Sequence, residues 1–129
     1  MSQTLAWVDS HCHFDFAVFD KHREQEWLFA QEQGIAGLII PGTSKNQGEK
    51  LADFCQQKPW FFALGLHPYF MEQHQQADLI WLENAIANSA ALAVGEIGLD
   101  NVIAKTEAEL NNQWQYFDAQ IQIAKTQNK

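Results

Sequence analysis

The chain has 129 residues, 47% of them hydrophobic, and a formal net charge of −8. That length makes one domain, and five Trp with nine Phe support a packed core and exclude a disordered chain. Acidic residues outnumber basic ones 16 to 8, which excludes avid sequence-independent binding to a phosphate backbone, although a bound divalent ion would supply local positive charge to a metal-dependent phosphodiesterase.

Leu5-Ala6-Trp7-Val8 reads as a short buried strand, and Asp9-Ser10-His11-Cys12-His13-Phe14-Asp15 follows it. In a strand, His11 and His13 project to one face and Cys12 to the other. An irregular aromatic loop, 14–19, precedes a helix expected over Asp20–Gln33, with Phe19, Arg23, Trp27 and Ala30 on one face and Gly34 as its stop. Ile35–Ile40 is a second buried strand closed by Pro41-Gly42. A second helix starts at Thr43-Ser44, with Ser44 and Gln47 as a capping box, and carries Leu51, Phe54 and Cys55 inward.

Trp60–Gly65 is a third strand, leading into Leu66-His67-Pro68. A third helix is expected over Ala77–Ser89 with a stripe of Leu79, Leu82, Ile86 and Ala90. A fourth strand, Ala91–Ile97, runs into Gly98-Leu99-Asp100. Thr106 and Glu109 form another capping box, and Leu110, Trp114, Phe117, Ile121 and Ala124 give the last helix its apolar stripe. Strand and helix alternate throughout, which predicts an α/β fold with a parallel sheet covered by helices.

The polar motifs fall at strand C-terminal ends, the catalytic face of a parallel α/β barrel. His11 and His13, about 6.6 Å apart along a strand, suit one divalent ion; they also read as ordinary polar residues at a strand–loop junction. Glu96 inside an apolar strand points to a metal or a paired charge, and otherwise to a loop cap or a Lys partner. His67 reads either as a site residue or as the exposed imidazole of a rigid turn. Asp9, Asp15 and Asp100 read as capping or supporting groups, and Cys12 and Cys55 as small core residues. Arg23 is the one guanidinium in the chain suited to a phosphate.

Asp-Ser-His-Cys-His-Phe-Asp, Gly-Leu-His-Pro and Gly-Glu-Ile-Gly-Leu-Asp, in this order and at these distances, resemble the TatD family of metal-dependent deoxyribonucleases. The last helix, with Gln113, Phe117, Gln120 and Ala124, resembles that family's segment after the glutamate motif. The resemblance implies a TIM-like (β/α)8 barrel of the metal-dependent hydrolase type. It implies His11 and His13 as ligands to one metal, Glu96 as a ligand shared between two, and His67 as an active-site residue near the substrate phosphate. The family adds two further histidines and an aspartate from the second half of its barrel. A full barrel takes about 250 residues, so residues 1–129 read as a single N-terminal half-barrel of about four β/α units, with the C-terminal half absent.

The function so implied is 3′–5′ exonuclease-type hydrolysis of DNA phosphodiester bonds, with two divalent ions (Mg, Mn or Zn) per complete site and with this chain inactive alone. The alternatives are hydrolysis of another ester, such as that of an aminoacyl-tRNA, and a non-catalytic fragment or half of a split assembly. The expected partners are DNA as substrate and either a second copy or a separate C-terminal half. No transmembrane helix is encoded and no membrane partner is expected, since the longest apolar runs fall far short of a bilayer span. The N-terminus carries no secretory pattern and two Cys make no disulfide framework, which predicts a cytoplasmic protein.

Overall fold

The computed structural model describes residues 6–129. Leu5, expected in the first strand, lies outside them. Strand β1 is Trp7–Asp9, α1 Arg23–Glu32, β2 Ile35–Ile40, α2 Lys45–Phe54, β3 Trp60–Phe62, α3 Gln76–Asn88 and α4 Glu107–Gln127. Short 3-10 helices occupy Ala17–Phe19 and Pro68–Gln73. The sheet is parallel, in the order β1-β2-β3. No helix among the described residues is long and apolar enough to cross a membrane.

The helix boundaries follow local chemistry. Gly34, at φ +92°, ends α1 where a side chain would be strained. Ser44 Oγ accepts from Gln47 N at 3.3 Å, the expected first half of a capping box. The return half is displaced by one residue. Gln47 Oε1 takes the N–H of Thr43 at 2.8 Å, and its Nε2 donates to Asp15 Oδ2 at 2.9 Å, tying α2 to the loop after β1. The Thr106–Glu109 box forms in full, with Thr106 Oγ1 accepting from Glu109 N at 3.2 Å and Glu109 Oε2 from Thr106 N at 2.9 Å. Backbone N–H groups of Lys105 and Thr106 on that carboxylate hold the Glu109 pKa below its usual range.

Alternation along the strands sends Leu38, Ile40, Trp60 and Phe62 to one face, where they are buried with Trp27 of α1, Leu51 of α2 and Leu82 and Ile86 of α3. Trp60 is the centre of the aromatic packing. Phe14 and Trp27 meet it edge-on at 5.4 and 5.7 Å, and Phe54 stacks on it at 5.3 Å, arrangements that add to plain area burial. Val8 and Phe61 take the opposite face and are 54% and 46% exposed.

Strand β1, expected to be buried, has Trp7 60% and Val8 54% exposed, and the third strand ends at Phe62 rather than Gly65. Two larger sequence expectations also need correction. Ala91–Ile97 does not form a strand; it contributes a single parallel bridge, Leu64 to Val94. Leu92 N still donates to Phe62 O and Gly95 N to Leu64 O, but the chain then bends across the sheet end, where Glu96 N donates to Gly42 O at 2.7 Å and Gly42 N to Gly95 O at 3.0 Å. The segment trades a continuing ladder on β3 for a crossing to the loop after β2. Second, the buried face of α4 is Gln113, Tyr116, Gln120 and Ile123, while Trp114 is 49% exposed and Leu110, Phe117, Ile121 and Ala124 are half-buried. The apolar stripe read from periodicity flanks the buried face by one residue. On α3, Leu82 and Ile86 face inward as expected, whereas Ala90 lies past the helix end and is exposed.

Candidate metal centre

β1 stops at Asp9, so His11 and His13 stand in the loop beyond it and strand alternation does not place them. Asp9 Oδ1 instead accepts from His11 N at 3.0 Å, a local turn that folds the loop over. Cys12 N donates to Ile39 O at 3.1 Å and pins the middle of the loop to β2. The two imidazoles then meet edge to face, centroids 5.1 Å apart.

Glu96 is the point on which the site converges. Its Oε2 lies 3.3 Å from His11 Nε2 and 3.4 Å from His13 Nε2, and its Oε1 lies 3.1 Å from His67 Nε2. Glu96 reaches this point by the backbone crossing rather than from within a strand, and its side chain is 29% exposed. Sequence reasoning named all four residues. It did not foresee that His67 touches Glu96.

His67 is held by its backbone and its ring together. Its N–H donates to Thr43 O at 2.9 Å, and its carbonyl faces His74 Nε2 at 2.9 Å. Nδ1 accepts from Tyr69 N at 3.0 Å, capping the 3-10 helix that buried Pro68 opens. A ring nitrogen that accepts a backbone N–H is unprotonated, so the neutral ring carries its proton on Nε2, the atom that stands 3.1 Å from Glu96 Oε1. His67 thus lies against Oε1, and Oε2 lies toward the histidine pair. The rigid turn is what places the His67 ring beside Glu96.

One nitrogen from each of His11 and His13 and one oxygen of Glu96 all lie within 4.8 Å of one another. In a tetrahedral zinc site with bonds of about 2.0–2.1 Å, neighbouring donor atoms stand about 3.3 Å apart. The two His–Glu96 separations match that edge, and the N, N, O donor set suits zinc, manganese or related ions. Among the described residues His13 Nδ1 is buried without a hydrogen-bond partner, its ring stacked on Phe16 at 4.7 Å.

The other sequence candidates are taken up elsewhere. Asp100 Oδ1 caps Val102 N and Ile103 N at 2.8 and 3.1 Å, and Asp15 receives Gln47. Arg23 is not free for phosphate: it donates to the carbonyls of Phe14, Asp15 and Phe16 and to Asp20 Oδ1, stapling the 14–20 loop. Burial raises the pKa of both cysteines, Cys55 to about 11, which fits inert core thiols. What the sequence reading missed is the use of α4: the amides of Gln113 and Gln120 bind backbone beside the site. The signal was present, since 113, 116, 120 and 123 are themselves a helical stripe.

A parallel α/β half-barrel with imidazoles and a carboxylate gathered at the strand ends defines a metal-dependent hydrolase fold. The chain belongs to the TatD related DNase family, whose model matches residues 8–129. It is 36% identical over 121 residues to the uncharacterized metal-dependent hydrolase YjjV of Escherichia coli (strain K12), covering 92% of this chain and 46% of that one. It is 32% identical over 110 residues to the 3′-5′ ssDNA/RNA exonuclease TatD of Pantoea sp. (strain At-9b), covering 82% and 41%. The crystal structure of YjjV, a TatD homolog from E. coli K12, superposes with a TM-score of 0.85 at 31% identity, over 95% of this chain and 48% of that one. The chain thus spans about half the length of these relatives, and its fold is the N-terminal half of a TIM-like barrel.

Proposed function

We propose that this chain supplies half the active site of a cytoplasmic TatD-type hydrolase. Its substrate is DNA, cleaved at phosphodiester bonds from the 3′ end, with two divalent ions (Mg²⁺, Mn²⁺ or Zn²⁺) in the complete site. The convergence of His11, His13 and His67 on the single Glu96 carboxylate carries this reading. The exonuclease named among the relatives supports the substrate class.

In this reading His11, His13 and Glu96 would hold one ion, and Glu96 would also serve a second. When bound, divalent ions supply Lewis-acid stabilisation of phosphoryl charge and make water a better nucleophile near neutral pH. His67, 3.1 Å from Glu96 Oε1, would offer its Nε2–H to a substrate phosphate oxygen bound beside that carboxylate. With a net charge of −8 and Arg23 committed to its own loop, attraction for a phosphodiester comes from the ions rather than from the surface.

Three ligands leave an ion loosely held and a second one almost unheld, so residues 1–129 need the remaining ligands of a complete site to work. Preorganised charge is where such a reaction gets its rate. Calorimetry with Zn²⁺ or Mn²⁺ is expected to show weak binding that His11→Ala and His13→Ala both remove; binding unchanged in both variants overturns the ligand assignment. The chain alone is expected not to degrade single-stranded DNA. Co-expression with a second half-barrel should restore cleavage, and Glu96→Ala should abolish it. Metal-dependent cleavage by the chain alone, lost in Glu96→Ala, overturns the need for a partner half.

A further inference from the structure

Helix α4 touches the site region through two buried amides. Gln113 and Gln120 are 2% and 1% exposed and sit seven positions apart, about 10.5 Å along one face of the helix. Each binds both backbone polar groups of a single residue. Gln120 Oε1 accepts from Leu66 N at 2.7 Å, while its Nε2 donates to Leu66 O at 3.2 Å and to Tyr116 O at 3.1 Å. Gln113 Oε1 accepts from Asp100 N at 2.7 Å, and its Nε2 donates to Asp100 O at 3.0 Å.

Position matters more than the number of bonds. Leu66 immediately precedes His67, and Asp100 closes the Gly-Leu turn that leaves Glu96. Neither residue is in a strand or helix, so neither has a regular ladder to fix it. A carboxamide offers one acceptor and donors in a plane, the complement of a peptide's N–H and C=O. Leucine would bury a similar volume there but leave the backbone N–H and C=O opposite it without those partners. What the amides add is register: each allows one position of the backbone it holds. The packing of α4 alone would permit sliding.

We propose that Gln113 and Gln120 are positioning residues of the metal centre, two points of a clamp by which α4 sets His67 against Glu96. This rests on the metal-centre reading above. With Leu66 and Asp100 each fixed, the 3.1 Å contact between His67 Nε2 and Glu96 Oε1 is set, and Glu96 Oε2 is left facing His11 and His13. Releasing either point lets the carboxylate turn and blurs the donor set without removing a ligand.

The test compares Gln113→Leu and Gln120→Leu with the wild-type 129-residue chain by Zn²⁺ calorimetry, metal-free thermal melting and ¹⁵N shifts of the His67 ring. Each variant is expected to lose about tenfold in zinc affinity, the lower end of what losing an outer-shell partner costs a metal site. The His67 ring of Gln120→Leu should move from a single Nε2–H tautomer toward a mixture. A purely structural role would lower the melting temperature and leave affinity and ring shifts where they were; that result overturns the proposal. If the leucine variants fail to fold, Gln113→Glu and Gln120→Glu decide. They keep the acceptor and lose the donor, and several-fold weaker binding is expected; wild-type affinity overturns the clamp. A wild-type chain whose zinc binding is absent or indifferent to His11→Ala overturns the metal reading instead. The clamp is then judged on the His67 shifts, and unchanged shifts in the Gln120 variants refute it.

Discussion

The two faces of the sheet differ although they are built from neighbouring residues. Trp60 and Phe62 are about 5% exposed under the helices, while Phe61 between them is 46% exposed. All three are large aromatics, so composition cannot tell them apart. The difference is that each β/α unit brings its own cover to the helix side and none to the other. A β/α unit is therefore complete on one side and dependent on the other, and the cluster of His11, His13, His67 and Glu96 sits at the strand ends.

The largest expected effect comes from exchanging adjacent residues across that divide. Trp60→Ala should cost about 3–5 kcal/mol of stability, the range for emptying an aromatic site in a core. Phe61→Ala should stay within about 0.5 kcal/mol, as surface changes do. Urea unfolding followed by circular dichroism measures both, and equal costs would show that the open face is covered in solution. Next in size is self-association. Exposed apolar area and free strand edges invite pairing, so Val8→Ser with Phe61→Ser should reduce hydrophobic-dye binding and shift a dimer toward monomer on size exclusion. A wild-type chain that is already monomeric and binds no dye breaks the comparison.

The smallest effect lies on the covered side. Desolvation lowers the pKa of His74, so the folded state favours its neutral ring. Above about pH 6.5, the ordinary histidine value, folded and unfolded chains are both neutral there and the full stability is present. Below it the unfolded chain protonates first, and stability falls. His74→Gln should flatten that acid-side decline, as read by melting temperature between pH 7 and 5. An unchanged slope would mean His74 stays as wet as the open face.

The motif order and helix ends were legible because they depend on local chemistry: a histidine pair after a capping Asp, a Thr-x-x-Glu box, a glycine after a helix. β2 matches its expected span residue for residue. Two things were not legible. The side of α4 that faces inward is set by what lies opposite it. At Leu66 and Asp100 that is unpaired backbone, which an amide satisfies and a leucine does not, so the polar stripe won over the apolar one. The path of 91–97 is likewise decided by Gly42, more than fifty residues away in sequence, which takes the hydrogen bonds a strand would have used.

That crossing has a consequence for how freely the protein can change. A β-carbon on Gly65 would come within 2.6–2.8 Å of Gly95 and Glu96 backbone atoms, and one on Gly42 within 2.8–2.9 Å of Gly65, Ala63 and Leu64. Glu96 is therefore moored by main chain against main chain, with no side chain of its neighbours in the joint. Side-chain changes that spare the backbone path leave the main-chain part of that mooring alone. At positions 42 and 65, by contrast, the protein's alphabet shrinks to a single letter, and the tolerance of the whole neighbourhood is concentrated into those two sites.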